Sequence, residues 1–162
     1  MIIFLDFDGV LHDCEVFLEG GEAVLKSYPG KSLFEYVPFL EQALAPCPDV
    51  RIVLSTSWVK QLGFDVAKAR LPENLQQRII GSTWHDDCGF DTASWMFLSR
   101  YEQINAYVKN NDLGNDWLAV DDDGDEWPEA MRPNLIHCHD DFLGLSDKRT
   151  YARLVDALAS QP

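Results

Sequence analysis

The sequence predicts an α/β fold: a three-layer, Rossmann-like arrangement around a mostly parallel central sheet, with no large cap domain. Two observations point there. Short apolar runs of strand character alternate with stretches of helical period. Acidic or hydroxyl residues directly follow three of those runs: Asp6 and Asp8, Ser55 and Thr56, Asp121 and Asp122. In doubly wound sheets ligands bind beyond the carboxyl ends of the strands.

Ile2 to Asp6 is the first strand. The polar segment from His12 to Lys31 carries Gly20, Gly21 and Gly30 and reads as a loop or short flap, within a small insertion at about 12–37. A helix follows around Pro38 to Ala45, with Pro38 in its first turn and Leu40, Ala43 and Leu44 as its apolar stripe. Pro46 and Pro48 end it, and Val50 to Leu54 is the second strand. Trp58 to about Arg70 is helical, interrupted at Gly63 and closed by Pro72. Ile79-Ile80 is a short strand, and Thr83 to Ser99 is irregular and aromatic. Tyr101 to Asn111 is a helix with Ile104, Tyr107 and Val108 on one side. Trp117 to Val120 is a strand that runs into Asp121-Asp122-Asp123, and Leu135 to Cys138 is another. The last helix takes Ser146 as its N-cap and buries Tyr151, Leu154, Val155 and Leu158.

A length of 162 residues fits one domain, and 46% apolar residues can supply its core. No run is long and apolar enough to span a membrane. The N-terminus begins on a strand and lacks the basic start and cleavage site of a signal peptide, so a cytoplasmic setting is expected. Cys14, Cys47, Cys88 and Cys138 stand far apart, which suits reduced thiols. The net charge of -14 disfavours an extended nucleic acid as partner, because such binding rests on Lys and Arg neutralising phosphates. A small phosphate ester remains compatible, and several acids can gather around a divalent cation.

The stretch Asp6-Phe7-Asp8-Gly9-Val10 carries most of the chemical information. Side chains at i and i+2 of a strand share a face, so both carboxylates crowd one strand tip. Such a pair repels itself unless a cation or a shared proton relieves it. A second acidic strand end, at Asp121 and Asp122, completes a hard-oxygen set suited to Mg²⁺. Ser55 and Thr56, at a strand-to-helix junction, suit phosphate. Arg100, one helix upstream of the acidic pair, can bring a cation to the same edge.

These features resemble the haloacid dehalogenase-like (HAD) hydrolase superfamily. Asp6-Phe7-Asp8-Gly9-Val10 matches its first motif, D-x-D-x-[TV]. Ile52-Val53-Leu54-Ser55 matches the second, and Asp121-Asp122 after Leu118-Ala119-Val120 the fourth. The third motif is a lone Lys or Arg, with Arg100 as the choice and Lys60 as its competitor. The resemblance runs from about Met1 to Cys138 and fits residues 1–162 as one domain. It is nearer to small bacterial members related to the phosphatase domain of multi-enzyme RNA repair proteins. Leu54-Ser55-Thr56-Ser57-Trp58 and Ala119-Val120-Asp121-Asp122-Asp123 carry that likeness. That group often has Arg after the tryptophan, where this chain has Val59 and Lys60.

The resemblance implies a Mg²⁺-dependent phosphomonoesterase working through an aspartyl-phosphate. Asp6 would be the nucleophile and Asp8 the acid and then the base. Asp6, the Asp8 backbone carbonyl and Asp122, with Asp121 beside them, would hold Mg²⁺. Ser55, Thr56 and Arg100 would bind the phosphate. Dehalogenases of the superfamily need only the first Asp, so the second implies phosphoryl transfer. The expected substrate is a phosphorylated small molecule or nucleotide, or a nucleic-acid end phosphate. A phosphotransferase and a non-catalytic phosphate- or partner-binding module are the alternatives.

Two further clusters have blander readings. His137-Cys138-His139 places two histidines on one strand face without a second ligand pair of recognised spacing, although His85 and Cys88 exist. Trp58, Trp84, Trp95, Trp117 and Trp127 are scattered and fit core packing or a pocket rim better than a base-stacking platform.

Overall fold

The strands are β1 (Ile2–Leu5), β2 (Val16–Glu19), β3 (Glu22–Leu25), β4 (Arg51–Leu54), β5 (Ile79–Ser82), β6 (Trp117–Asp121) and β7 (Leu135–His137). The helices are α1 (Val37–Leu44), α2 (Ser57–Leu62), α3 (Phe64–Lys68), α4 (Glu73–Gln76), α5 (Thr92–Met96), α6 (Arg100–Asn110) and α7 (Lys148–Ala159). This computed structural model describes residues 1–85, 88–89 and 91–160. Asp86, Asp87 and Phe90, in the segment expected to be irregular, lie outside the described residues.

Five strands form a parallel sheet in the order β5-β4-β1-β6-β7. β1 lies at its centre, with Ile3, Phe4 and Leu5 fully buried. A parallel strand covered on both faces reads as a continuous apolar run, which is why Ile2 to Leu5 shows no alternation. Ile3 and Leu5 pack with Leu40 and Leu44 of α1, Trp58 and Val59 of α2, and Leu154 and Leu158 of α7. Phe4 joins the opposite layer with Ile104 and Val108 of α6 and with Trp117 and Trp127. Its ring meets Trp117 edge-on, centroids 5.7 Å apart. The result is the expected three-layer, Rossmann-like α/β fold, with no cap domain among the described residues.

Register sets the level of the strand ends. Leu5 pairs with Leu54 on one side and Val120 on the other. The ladders run on past these residues: the Asp6 N–H donates to the Val120 carbonyl at 3.1 Å, and the Ser55 N–H to the Leu5 carbonyl at 2.8 Å. Asp6, Ser55 and Asp121 therefore reach one edge of the sheet.

The helices follow local signals. Ser99 and Glu102 form a reciprocal capping box at the start of α6. Gly63, at φ +94, separates α2 from α3 at the expected interruption. The expected cap of the last helix is corrected by one residue. Ser146 turns its hydroxyl to the Leu143 carbonyl, and the Asp147 carboxylate accepts from the Arg149 and Thr150 N–H groups instead. Of the four side chains expected inside α7, Leu154 and Leu158 are buried, Tyr151 is half-buried and Val155 is exposed. Thr150 takes the remaining inward position.

The segment expected as a loop or flap contains an antiparallel hairpin, β2 with β3. Gly20 and Gly21 turn it, both at positive φ, as a two-residue primed turn requires. Its base is tied down by the fully buried Asp13, whose carboxylate accepts from the Ser27 hydroxyl and the Glu15 N–H.

Candidate active site

Asp6 follows the last residue of β1 and is buried. Its Oδ1 accepts the Phe7 N–H at 2.7 Å, and its Oδ2 accepts Arg100 Nη2 at 2.8 Å. Arg100 is the first residue of α6 and spans two strand ends. Its Nε lies 3.0 Å from Asp121 Oδ2, a close ionic approach without hydrogen-bond alignment. The other Asp121 oxygen accepts the Asp123 N–H at 3.0 Å.

Asp122 sits one residue past β6 and half-buried. One oxygen each from Asp6, Asp121 and Asp122 lie within 4.8 Å of one another, a set able to hold a metal ion. Burial raises the carboxyl groups of both Asp6 and Asp121 above the ordinary carboxylate value, against the opposing pull of Arg100. Burial, with the Asp6 charge beside it, pushes Asp122 up to about 7. Burial alone would lower the Arg100 guanidinium, but Asp121 and Asp6 raise it and keep it charged. One guanidinium thus faces more acidic groups than it can neutralise. Asp123, Asp125 and Glu126 are exposed and lie outside the carboxylate cluster.

Glycine makes this closeness possible. Gly9 adopts φ +66 in the turn after Asp8, and a Cβ there would lie 2.7 Å from the Asp122 carboxyl carbon. At Gly124 a Cβ would lie 2.7 Å from His137 Nδ1. His137 Nε2 is 2.9 Å from the Asp122 carbonyl, so it donates there and fixes the loop that carries Asp122. The rings of His137 and His139 lie 3.8 Å apart. The metal-capable group found among the described residues contains neither histidine.

Asp8 stands apart from the cluster. Its Oδ1 accepts Trp58 Nε1 at 2.8 Å and lies 3.0 Å from His12 Nε2. Ser55 is fully buried, with its hydroxyl unpartnered among the described residues. The Thr56 oxygen accepts the Trp58 N–H at 3.4 Å as the cap of α2, and the nearby Thr56 hydroxyl tends to lower the Asp6 carboxyl, against the effect of burial. Thr56, Lys60, Trp84, Trp95, Arg100 and Gln103 line a cleft of about 480 Å³ beside these groups. Lys60 lies over the Trp84 ring, 5.6 Å from its centre. A larger cavity, about 800 Å³, runs along β5 by Ile80, Gly81 and Tyr107 and touches none of the acids above.

The structure thus gathers Asp6, Asp121, Asp122 and Arg100 directly, with Ser55, Thr56 and Asp8 around them. Between the two candidate cations, Arg100 contacts the carboxylates and Lys60 lines the cleft. His12, in the segment expected to be a polar loop, and the contact of Trp58 with Asp8 were not legible in the sequence. The four-residue spacing of Asp8 and His12 was the one available signal for the former.

A model of the HAD domain in Swiss Army Knife RNA repair proteins matches residues 2–150. The chain belongs to that family. No curated protein and no solved structure matches it. This HAD family is of phosphatase-type hydrolase character. HAD proteins generally use Mg²⁺, and the buried acidic cluster is compatible with that ion. No described helix of this HAD protein is long and apolar enough to cross a membrane.

Proposed function

We propose that this HAD protein is a Mg²⁺-dependent phosphomonoesterase, with residues 1–162 as one catalytic domain. The observation that carries the reading is Asp6 itself: a buried carboxylate at the central strand end, within reach of Arg100 and of two further acids. Three carboxylates from two adjacent strands form a hard-oxygen donor set of the kind Mg²⁺ prefers. Asp6, Asp122 and Asp121 would hold the ion, with the Asp8 backbone carbonyl. Bound Mg²⁺ would neutralise charge and orient the phosphate.

The protein's own groups divide the remaining work. Asp6 attacks phosphorus and takes the phosphoryl group as an aspartyl-phosphate. Arg100 and the Ser55 hydroxyl hold phosphoryl oxygens, and Thr56 joins them at the rim of the cleft. Asp8 protonates the departing oxygen and later takes a proton from the hydrolytic water.

The cleft beside Arg100 offers room for a leaving group of nucleotide size, with Trp84 and Trp95 on its wall. A nucleotide or a nucleic-acid end phosphate is the substrate class this favours. The charge of -14 argues for a short contact with a chain end and against a broad footprint on RNA.

Hydrolysis of an aryl phosphate with and without Mg²⁺ tests the reading. Turnover that needs the ion and is lost in Asp6→Asn supports it. Absence of turnover by the wild type, or equal turnover by Asp6→Asn, contradicts it. Capture of the phosphoryl group by an added alcohol in preference to water identifies a phosphotransferase instead.

A further inference from the structure

We infer that Trp58 and His12 are positioning residues that fix which oxygen of Asp8 transfers the proton; the inference rests on the phosphomonoesterase reading above. Both rings aim a nitrogen at the same atom. Trp58 Nε1 lies 2.8 Å from Asp8 Oδ1 and His12 Nε2 lies 3.0 Å from it. An indole nitrogen only donates. The tautomer of His12 follows from its other nitrogen: Nδ1 accepts the Phe34 N–H at 3.3 Å, so the hydrogen sits on Nε2. Oδ1 thus receives two N–H donors. A proton on that oxygen would displace one of them, so Oδ2 is the oxygen that carries it.

The surroundings hold this arrangement rigid. His12 is fully buried and Trp58 nearly so. The Phe34 ring packs edge-on against both, at 4.7 Å from His12 and 5.3 Å from Trp58. Phe7, between the two aspartates, completes the cluster at 5.7 Å from Trp58 and 5.3 Å from Phe34. Phe34 adopts φ +61, a left-handed conformation that costs a bulky residue energy and persists only where packing imposes it. That conformation presents the Phe34 N–H to His12. Buried, strained and aromatic, the cluster converges on one carboxylate oxygen.

The chemistry needs such control. As Asp6 forms its bond to phosphorus, the bond from phosphorus to the leaving oxygen breaks, and the proton on Asp8 Oδ2 moves to that oxygen. Water then attacks phosphorus, Asp8 Oδ2 takes a proton from it, and the bond to Asp6 breaks. Inorganic phosphate leaves, and both carboxyl groups return to their starting states. One oxygen serves both transfers only if the carboxyl group does not rotate between them.

Proton donation matters most for poor leaving groups, which separates this role from a packing role. The test compares kcat/KM of wild type and Trp58→Phe over a series of aryl phosphates, from nitrophenyl to unsubstituted phenyl. Trp58→Phe keeps an aromatic ring and removes the donor. The expected loss is about 10-fold or more for phenyl phosphate and under about 3-fold for nitrophenyl phosphate, a share of the usual effect of general acid catalysis. His12→Phe carries the same test where Trp58→Phe does not fold. An equal loss across the series, or none, overturns the inference while leaving the phosphomonoesterase reading intact. A wild type inactive on every ester overturns both.

Discussion

Gly9 and Asp122 meet across the site: a Cβ on Gly9 would stand 2.7 Å from the Asp122 carboxyl carbon. The turn after the first acidic motif and the end of the second acidic strand are therefore packed backbone against carboxylate. Gly9→Ala must move Asp122 and must also hold alanine at φ +66. We expect Mg²⁺ affinity to fall by about 10-fold or more, on the scale seen when a metal ligand is disoriented. Calorimetric titration of Mg²⁺ into the variant checks this; unchanged affinity removes Asp122 from the ion's ligands.

Arg100 bridges Asp6 and Asp121. Breaking a buried ion pair from one side leaves uncompensated charge and costs roughly 3–5 kcal/mol. Arg100→Met should lower metal-free stability by an amount of that order in urea unfolding, and Mg²⁺ should restore part of it. Arg100→Lys should not substitute fully, because a point charge cannot span two carboxylates as the planar guanidinium does. Full stability in Arg100→Met without the ion would show that the three acids do not need this cation.

The elevated Asp122 gives a signed pH dependence. Its folded value of about 7 lies above the 3.8 of an ordinary aspartate, so its ionisation costs nothing below the unfolded value. The cost grows as pH rises until pH passes the folded value. The metal-free protein should lose an Asp122-dependent part of its stability between about pH 4 and about pH 7. Asp122→Asn should lack that loss, and Mg²⁺ should stabilise the wild type increasingly over the same window. Unfolding midpoints of both proteins across that window decide it; parallel curves contradict the assignment.

The cap of α7 offers a stability test away from the site. Asp147→Ala removes the acceptor for two backbone N–H groups and should cost about 1 kcal/mol. Ser146→Ala should cost less, because the Ser146 hydroxyl donates to the Leu143 carbonyl of the preceding turn and caps no N–H of α7 among the described residues.

That cap shows where local sequence signals stop. Ser146 and Asp147 are both good N-caps, and only the path of the turn from Gly144 selects one. The three inner strands were legible because a central parallel strand must be apolar along its length, and Asp6, Ser55 and Asp121 mark where each run ends. The hairpin was not, since Val16–Glu19 and Glu22–Leu25 bury little and alternate weakly. At the site, the acids on neighbouring strands could be anticipated from their positions alone. The clamp on Asp8 could not: Trp58 lies 50 residues away in sequence, and only the packing of α2 on β1 brings its indole to that oxygen. Arg100 was favoured over Lys60 by its place one helix upstream of the acidic pair, but its span of two carboxylates depends on where α6 lies against the strand ends.

The proposed mechanism requires that Asp6 become phosphorylated. Acid quenching of the protein during turnover of a radiolabelled phosphomonoester with Mg²⁺, followed by peptide mapping, tests it most directly. Acid-stable label is expected on the peptide that carries Asp6, and none in Asp6→Asn. Turnover by the wild type with no label at Asp6 would contradict the mechanism.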